Sequence, residues 1–309
     1  MNSLNNPLNI VCLCPTYGRP SVVANAAACF TAQDYPAENR RLLIFDDAGQ
    51  LAKSEGEHDG VIVMSSKRRR NSLPAKYDEM LRVVGDWADV FVVWDDDDVY
   101  LPWHVRRHAE ALSGKFRWER EPYSDFEELV AAGEIPSPPA GYLWSQPERV
   151  YSTYTGKVGV EPSDGRFHGS LAMRRELLER VGGWVGVMPA GEEKRADFDQ
   201  RMIAACQKSN WMRKSLRGHY HMASGPGYVY RWGDSGATHC SGLMRSPDNQ
   251  DWYDRTTPCE TVGGEVRLIP VFDRRTIEIY RECGAVIRPE MRTDGPWRNL
   301  EEVLASLDN

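Results

Sequence analysis

The sequence predicts an α/β fold with a mostly parallel central sheet and flanking helices. Apolar runs of strand length alternate with helical patterns through the first third of the 309 residues, which is typical of such a sheet. The composition, 41% hydrophobic and 27% charged, is that of a globular protein with a sizeable core. Each apolar run also ends in polar residues. Ligands of open α/β sheets bind at the carboxyl ends of the strands, so we expect the functional site there.

The elements follow in order along the chain. Strands are predicted at 9–15, 41–47, 60–66 and 90–96. A helix after the first strand begins near Pro20, which suits a first helical turn. A second helix precedes the fourth strand, and its apolar residues share one face: Leu73, Tyr77, Met80, Leu81 and Val84. Further helices are predicted at 102–114, 124–132, 196–209 and 297–307, and the stretch 169–184 reads as a strand entering a helix that ends at Gly182.

Charge and cysteine usage narrow the class of protein. Net charge is −7, which disfavours broad binding to polyanions, although the basic strip at 67–70 could contact phosphate. Seven cysteines without a CxxC pair fit a reducing compartment. The first residues, "MNSLNNPLNIVCLCP", have neither a basic region nor a long apolar run. We therefore expect a soluble, cytoplasmic protein without membrane insertion, in the host cytoplasm if it is viral.

The most unusual stretch is "VVWDDDDVYLP" at 92–102, where four carboxylates follow an apolar run. Two unit charges about 4 Å apart repel by about 4 kcal/mol at the effective dielectric near a protein surface, so something should compensate them. Strand alternation would point Asp95 and Asp97 the same way and leave Asp96 the most replaceable. Carboxylate oxygens suit Mg²⁺ or Mn²⁺; a solvated acidic loop before the next helix is the alternative.

Five motifs in this order and spacing resemble family 2 glycosyltransferases with the GT-A fold. They are "CPTYGRP" (14–20), "IFDDAG" (44–49), "WDDDDVYLP" (94–102), "FHGS" (167–170) and "RRELLERVGGW" (174–184). The resemblance covers residues 9 to about 242. It implies a Rossmann-like GT-A domain at 1–244, with a nucleotide-binding half at about 9–114 and an acceptor and catalytic half at about 115–244. Residues 245–309 form a small C-terminal extension of unknown role.

The resemblance implies a set of nucleotide-sugar-binding residues. These are Pro15, Thr16, Tyr17, Arg19, Asp46, Asp47, Lys76, Asp95, Asp96 and Gly169. In this set Asp47, with Asp46 beside it, would bind the uracil or ribose, although a simple turn is the alternative. Arg70 and Asn71 are alternatives to Lys76. Gly169 resembles the glycine that lets the donor sugar approach the backbone.

Metal ligands and a general base are implied in the same way. The metal ligands would be Asp97, Asp95 and His239, with His221 competing for the histidine position and Asp98 in reserve; the cofactor would be Mn²⁺ or Mg²⁺. The family's base falls on Asp197, but Ala196 stands where the family has a glutamate. Glu193 and Asp199 are therefore alternatives.

The implied activity is that of a metal-dependent, inverting hexosyl- or pentosyltransferase that uses a nucleotide-diphosphate sugar, with a UDP-sugar preferred. The acceptor hydroxyl could belong to a glycan, a protein, a small molecule or a hydroxymethylated base in viral DNA. A nucleotidyltransferase of similar fold and a non-catalytic nucleotide-sugar-binding module are the rival interpretations. The sequence leaves the donor sugar and the oligomeric state open.

Overall fold

The structure is a computed structural model that describes residues 7–113, 143–163, 165–194, 197–209, 226–231 and 264–287. Its strands are β1 (Ile10–Thr16), β2 (Arg40–Asp46), β3 (Gly56–His58), β4 (Val61–Ser65), β5 (Val90–Val93), β6 (Val99–Tyr100), β7 (Trp144–Ser145), β8 (Arg149–Ser152), β9 (Gly159–Pro162), β10 (Ala172–Arg174) and β11 (Tyr228–Tyr230). Its α-helices are α1 (Pro20–Thr31), α2 (Leu73–Val84), α3 (His104–Leu112), α4 (Arg175–Val181), α5 (Gly183–Gly186), α6 (Phe198–Ser209) and α7 (Arg274–Glu282). Short 3₁₀ turns lie at Ala37–Asn39, Ala52–Ser54, Gly85–Trp87 and His168–Ser170.

Within these residues, seven strands form the central sheet in the order β3-β4-β2-β1-β5-β10-β7. The strands β4, β2, β1 and β5 are parallel to one another, whereas β3, β10 and β7 pair antiparallel at the two sides. A four-stranded sheet, β6-β11-β8-β9, lies beside it. The predicted fold class, an α/β fold with a mostly parallel central sheet and flanking helices, is confirmed.

Both faces of the central sheet are covered, as the near-continuous apolar strands require. Along β1, Cys12 and Cys14 face the core that contains α1, while Val11 and Leu13 face the core that contains α2. This alternation follows from the two-residue period of a strand. Both cysteines are buried, and desolvation raises the pKa of both thiols.

The predicted helices of the first third are also confirmed. Pro20 lies in the first turn of α1. The helix α2 begins after Ser72, whose hydroxyl accepts a hydrogen bond from the Ala75 main-chain N–H at 3.2 Å, as an N-cap should. The predicted apolar face of α2 packs into the second core. Gly182 ends α4 in the left-handed conformation, with φ of 78°.

One strand boundary is wrong. The fourth strand, predicted to continue to residue 96, ends at Val93, and Asp95–Asp98 form an irregular turn before β6. The expected alternation of Asp95 and Asp97 therefore does not apply. The predicted helices at 124–132 and 297–307 lie outside the described residues.

Part of the predicted C-terminal extension packs against the core that contains α1, which we call the first core. Phe272, Ile277 and Tyr280 are buried beside α1 and α3, and the Val271 main-chain N–H donates to the Ala24 carbonyl at 3.2 Å. The division of the chain at residue 244 stays a prediction. No helix in the described part of the chain is long and apolar enough to cross a membrane.

Candidate active site

The carboxyl ends of β1, β2, β4 and β5 meet at one edge of the sheet, as parallel pairing requires. Side chains from these ends contact one another there. The Thr16 hydroxyl donates to Asp96 Oδ2 at 2.6 Å, and Lys76 Nζ donates both to the Thr16 carbonyl and, at 2.6 Å, to Asp47 Oδ1. The structure thus brings together residues of the first, second and third of the five motifs. We call Asp95–Asp98 the acidic loop.

Arg19 supplies positive charge to the acidic loop. Its guanidinium donates to Asp97 Oδ2 at 3.1 Å and forms an ion pair with Asp96. Asp96 is 2% exposed, and burial raises its pKa while Arg19 opposes the rise. Asp96 is therefore tightly held, and the expectation that it is the most replaceable aspartate is wrong because β5 has already ended.

Asp98 is held on its other side by the second sheet. The Tyr228 hydroxyl donates to Asp98 Oδ2, and the Arg231 main-chain N–H donates to Asp98 Oδ1 at 2.9 Å. Asp98 is 1% exposed, and burial raises its pKa well above the usual range. Both of its oxygens accept hydrogen bonds from β11 and the residue after it, so Asp98 anchors the end of the acidic loop.

Asp95 differs from the other three aspartates. Its Oδ1 accepts a long hydrogen bond from the Tyr77 hydroxyl at 3.3 Å, and within the described residues its Oδ2 accepts none. Burial, followed by the charges of Asp97 and Asp96, raises the pKa of Asp95 to about 8. A cation beside Asp95 Oδ2 would offset the repulsion from Asp96 and Asp97.

Gly169 packs directly against Asp95. A Cβ atom at this position would lie 2.5 Å from Asp95 Oδ2 and 2.9 Å from the Tyr228 ring, so only glycine fits. The turn at His168–Ser170 holds Gly169 there. His168 is buried, and its Nε2 accepts a hydrogen bond from Trp184 Nε1 at 2.9 Å. Desolvation lowers the pKa of His168 to about 3, so its ring is neutral and can accept.

Lys76 and Asp47 form a buried ion pair, and both residues are 1% exposed. Burial lowers the pKa of Lys76, and the charge of Asp47 opposes that shift. A buried pair of this kind is costly to break, because either partner alone would leave an uncompensated charge. Asp47 Oδ2 also accepts from the Arg70 main-chain N–H at 2.8 Å, which ties the basic strip to the same site.

The remaining residues of the predicted nucleotide set have other surroundings. Asp46 accepts from the main chain of Ala48 and Leu51 and from Ser65, and therefore shapes the loop after β2. Pro15 is buried in β1. The guanidinium of Arg69 lies 4.0 Å from the centre of the Tyr17 ring.

The three candidates for the base lie at or before the start of α6. Asp197 forms an ion pair with Arg201, with Nε and Oδ2 3.0 Å apart. Asp199, in the first turn of α6, is close enough to Asp95 for its charge to raise the pKa of Asp95, and burial raises the pKa of Asp199 itself. Glu193 Oε1 accepts from the Gly191 main-chain N–H at 3.3 Å. Of the three, Asp199 shows an electrostatic link to the acidic loop.

A divalent cation fits the acidic loop in its donor chemistry. Asp95 and Asp97 offer the hard oxygen ligands that Mn²⁺ and Mg²⁺ prefer, and Asp95 Oδ2 accepts no hydrogen bond from the described residues. No group of three or more His, Cys, Asp or Glu residues in the described segments is arranged to hold a metal. The histidines considered as ligands, His239 and His221, lie outside those segments.

Sequence reasoning missed the side chains that support the acidic loop. These are Tyr77, Tyr100, His168, Trp184, Tyr228 and Arg231. Tyr100, His168 and Trp184 lie inside the five motifs, where aromatic residues are equally typical of a core. Tyr77, Tyr228 and Arg231 lie outside those motifs.

No protein-family model and no curated protein matches the chain. Among solved structures it is similar to the mannosyltransferase PcManGT from Pyrobaculum calidifontis in complex with GDP-Man and Mn²⁺, with 17% identity and a TM-score of 0.42. It is also similar to S. aureus TarS 1-349 in complex with UDP-GlcNAc, with 11% identity and a TM-score of 0.48. The matches cover 76% and 74% of this chain, and 60% and 59% of those chains. These likenesses concern the fold, and no residue role carries over from them.

Fold and site together define an α/β protein with an acidic site at the carboxyl edge of its parallel strands.

Proposed function

We propose that this protein is a metal-dependent, inverting glycosyltransferase that uses a nucleotide-diphosphate sugar, with a UDP-sugar preferred. The observation that carries the proposal is the meeting of the acidic loop with Thr16, Lys76 and Asp47 at the edge where open α/β sheets bind ligands. An acidic cluster beside a buried lysine suits a ligand that brings both a cation and phosphates.

In this proposal the nucleotide lies over the ends of β1 and β2. Tyr17 and Pro15 line the base and ribose, Asp47 binds the base or ribose, and Lys76 holds Asp47 and the Thr16 carbonyl in place. The basic strip at 67–70 adds positive charge near the phosphates. Asp46 shapes the loop that presents Asp47.

Asp95 and Asp97 would hold Mn²⁺ or Mg²⁺, with His239 as a further predicted ligand. When bound, the cation supplies positive charge that stabilises the departing nucleoside diphosphate. Arg19 and Thr16 fix Asp96, which keeps the loop in position. Gly169 leaves room for the donor beside Asp95.

The reaction needs one base. The base takes the proton from the acceptor hydroxyl, the acceptor oxygen bonds to the anomeric carbon, and the bond from that carbon to the diphosphate oxygen breaks. A single displacement of this kind inverts the anomeric configuration. Asp199 and Asp197 are the candidate bases. Asp199 is favoured by its raised pKa and its link to Asp95, whereas Asp197 is favoured by the family resemblance.

The test is a donor screen with the full chain. UDP- and GDP-sugars are incubated with Mn²⁺, Mg²⁺ or EDTA, and release of the nucleoside diphosphate is measured with glycans, small hydroxyl compounds and hydroxymethylated duplex DNA as acceptors. We expect at least one donor to give metal-dependent release, reduced about 10- to 100-fold by Asp97→Asn. Asp86→Asn, at an exposed aspartate, is the matched control.

Failure of every nucleotide sugar to react would contradict the proposal. Pyrophosphate release from a nucleoside triphosphate and a sugar phosphate would instead favour the nucleotidyltransferase alternative. Tight donor binding without turnover under any condition would favour the binding module.

The two candidate bases are separated by paired variants. If Asp199 is the base, Asp199→Asn reduces turnover by about 100-fold or more and leaves donor binding unchanged. Asp197→Asn should then reduce turnover far less, because it removes the charge that pairs with Arg201 and leaves Asp199 in place. The reverse result would assign the base to Asp197.

A further inference from the structure

We propose that the segment 264–287 supports the candidate active site. Its residues Asp273 and Tyr280, together with Arg231, are positioning residues that hold the acidic loop. The inference rests on the proposed function and extends it to Asp273 and Tyr280, which lie beyond the part of the chain that carries the family resemblance. Two separate connections join this segment to the two ends of the acidic loop.

The first connection runs through Arg231 to Asp98. The Arg231 main-chain N–H donates to Asp98 Oδ1 at 2.9 Å, and its side-chain Nη1 donates to Asp273 Oδ2 at 2.6 Å. The Arg231 side chain is 5% exposed. A buried guanidinium requires a carboxylate partner, so Asp273 fixes Arg231 and, through the main chain, the Asp98 carboxylate.

The second connection runs through Tyr280 and Tyr100 to Asp95. The Tyr280 hydroxyl donates to the Tyr100 carbonyl at 2.7 Å, and the Asp95 main-chain N–H donates to the Tyr100 hydroxyl at 2.6 Å. The Tyr100 ring also stacks on Trp94, with ring centres 3.7 Å apart. All three aromatic side chains are fully buried. The start of the acidic loop therefore depends on a helix about 180 residues later in the chain.

The segment is itself firmly attached to the first core. Asp273 caps α7 by accepting from the Thr276 main-chain N–H at 2.6 Å, and its own N–H donates to Asn25 Oδ1 at 3.2 Å. Phe272 and Ile277 are buried against the core. A rigid element attached at several points can hold a loop in one geometry, and sites supported in this way are more precise than sites on free loops.

Two conservative substitutions separate positioning from folding. Asp273→Asn keeps an oxygen that can cap α7 and removes only the charge that pairs with Arg231. Tyr280→Phe removes only the hydroxyl that binds the Tyr100 carbonyl. We expect each to lower turnover of the nucleotide-sugar donor about tenfold, the effect typical of groups that orient a ligand-binding side chain, while the acceptor KM is unchanged.

Hydrogen exchange gives a readout independent of activity. In both variants the amides of residues 94–101 should exchange faster, whereas those of β1 and β2 should not change. Two matched controls should leave exchange and turnover as in the wild type. Tyr35→Phe removes a comparable hydroxyl-to-carbonyl bond, 2.8 Å long, to Leu8, and Arg274→Gln removes an exposed ion pair of α7.

Unchanged exchange at 94–101 in both variants would overturn the proposal, and so would faster exchange with unaltered turnover. If the wild type turns over no nucleotide sugar, the proposed function fails. The exchange measurement still decides whether the segment holds the acidic loop.

Discussion

At the scale of single residues, the four aspartates of the acidic loop fall into three environments. Asp96 and Asp97 meet Arg19, Asp98 meets Tyr228 and Arg231, and Asp95 keeps an oxygen without a hydrogen bond in the described structure. The sequence predicts the cluster and its need for compensation. It does not predict that Arg19 provides part of that compensation, because the partners are more than seventy residues apart.

Removal of Lys76 should destabilise the fold. Lys76→Met leaves Asp47 buried without its cation, so we expect a loss of about 3 kcal/mol in the free energy of unfolding, measured with urea. The double variant Lys76→Met with Asp47→Asn should recover much of that loss, since it removes both charges. Arg180→Met, which breaks an exposed ion pair with Glu176, should cost less than about 1 kcal/mol. Equal stability of Lys76→Met and the wild type would contradict the importance of the buried pair.

Gly169→Ala should damage the site more than the fold. The added methyl group would collide with Asp95 Oδ2 and the Tyr228 ring, and we expect donor turnover to fall about tenfold or more, as for a displaced reacting group. Gly159→Ala is the matched control, because the nearest atom to its new Cβ is 3.9 Å away. Wild-type turnover in Gly169→Ala would show that this close approach does not matter.

At the scale of elements, the parallel strands and α1, α2 and α4 follow from local patterns that the sequence displays. The end of β5 at Val93 does not, because the four aspartates after it have no periodicity that marks a strand end. No local sequence pattern predicts the turn at His168–Ser170 either. Phe167, just before it, has a φ of 61°, and its carbonyl accepts hydrogen bonds from Ser170 within the turn and from Gln146, 21 residues earlier.

The N-cap of α2 should affect both stability and ligand binding. Ser72→Ala removes the acceptor for the Ala75 N–H, and we expect a loss of about 1 kcal/mol in unfolding free energy. Lys76 lies one turn into this helix, so nucleotide affinity should fall when the start of the helix is destabilised. Ser72→Thr should retain wild-type stability and nucleotide affinity. A wild-type free energy of unfolding for Ser72→Ala would contradict the assigned cap.

At the scale of the whole molecule, residues distant in the chain share one core. The sequence suggests a separate region after 244, yet Tyr280 packs against Tyr100 and Arg231 pairs with Asp273. Such contacts leave no local pattern, because each depends on how the complete sheet places its edges. The helix α7 is absent from the elements predicted from the sequence, and no local pattern identifies what covers its apolar residues.

The same core buries histidines in their neutral form. Desolvation lowers the pKa of His108 and His168 to about 3 and that of His104 well below its usual value. The unfolded chain takes up protons below about pH 6.5 and the folded chain does not, so stability is complete above that pH and falls as pH decreases toward 3. Each of these histidines should lower the free energy of unfolding by about 1.4 kcal/mol when the pH falls from 7.5 to 5.5.

Urea unfolding at the two pH values measures this loss. His168→Gln, which keeps an acceptor for Trp184, should reduce the pH-dependent loss by about one histidine's share, 1.4 kcal/mol. His58→Gln, at an exposed position, should leave it unchanged. A loss identical in wild type and His168→Gln would contradict the neutral buried state of His168.

In the proposed function, the acidic loop at the carboxyl edge of the sheet binds a nucleoside diphosphate together with a divalent cation. Calorimetric titration of UDP and GDP into the full chain, with Mn²⁺ and with EDTA, measures this binding. We expect at least one of the two nucleotides to bind with Mn²⁺, with a large loss of affinity in EDTA and in Asp97→Asn and normal affinity in Asp86→Asn. Absence of binding in the wild type with Mn²⁺, or equal affinity in Asp97→Asn, would contradict it.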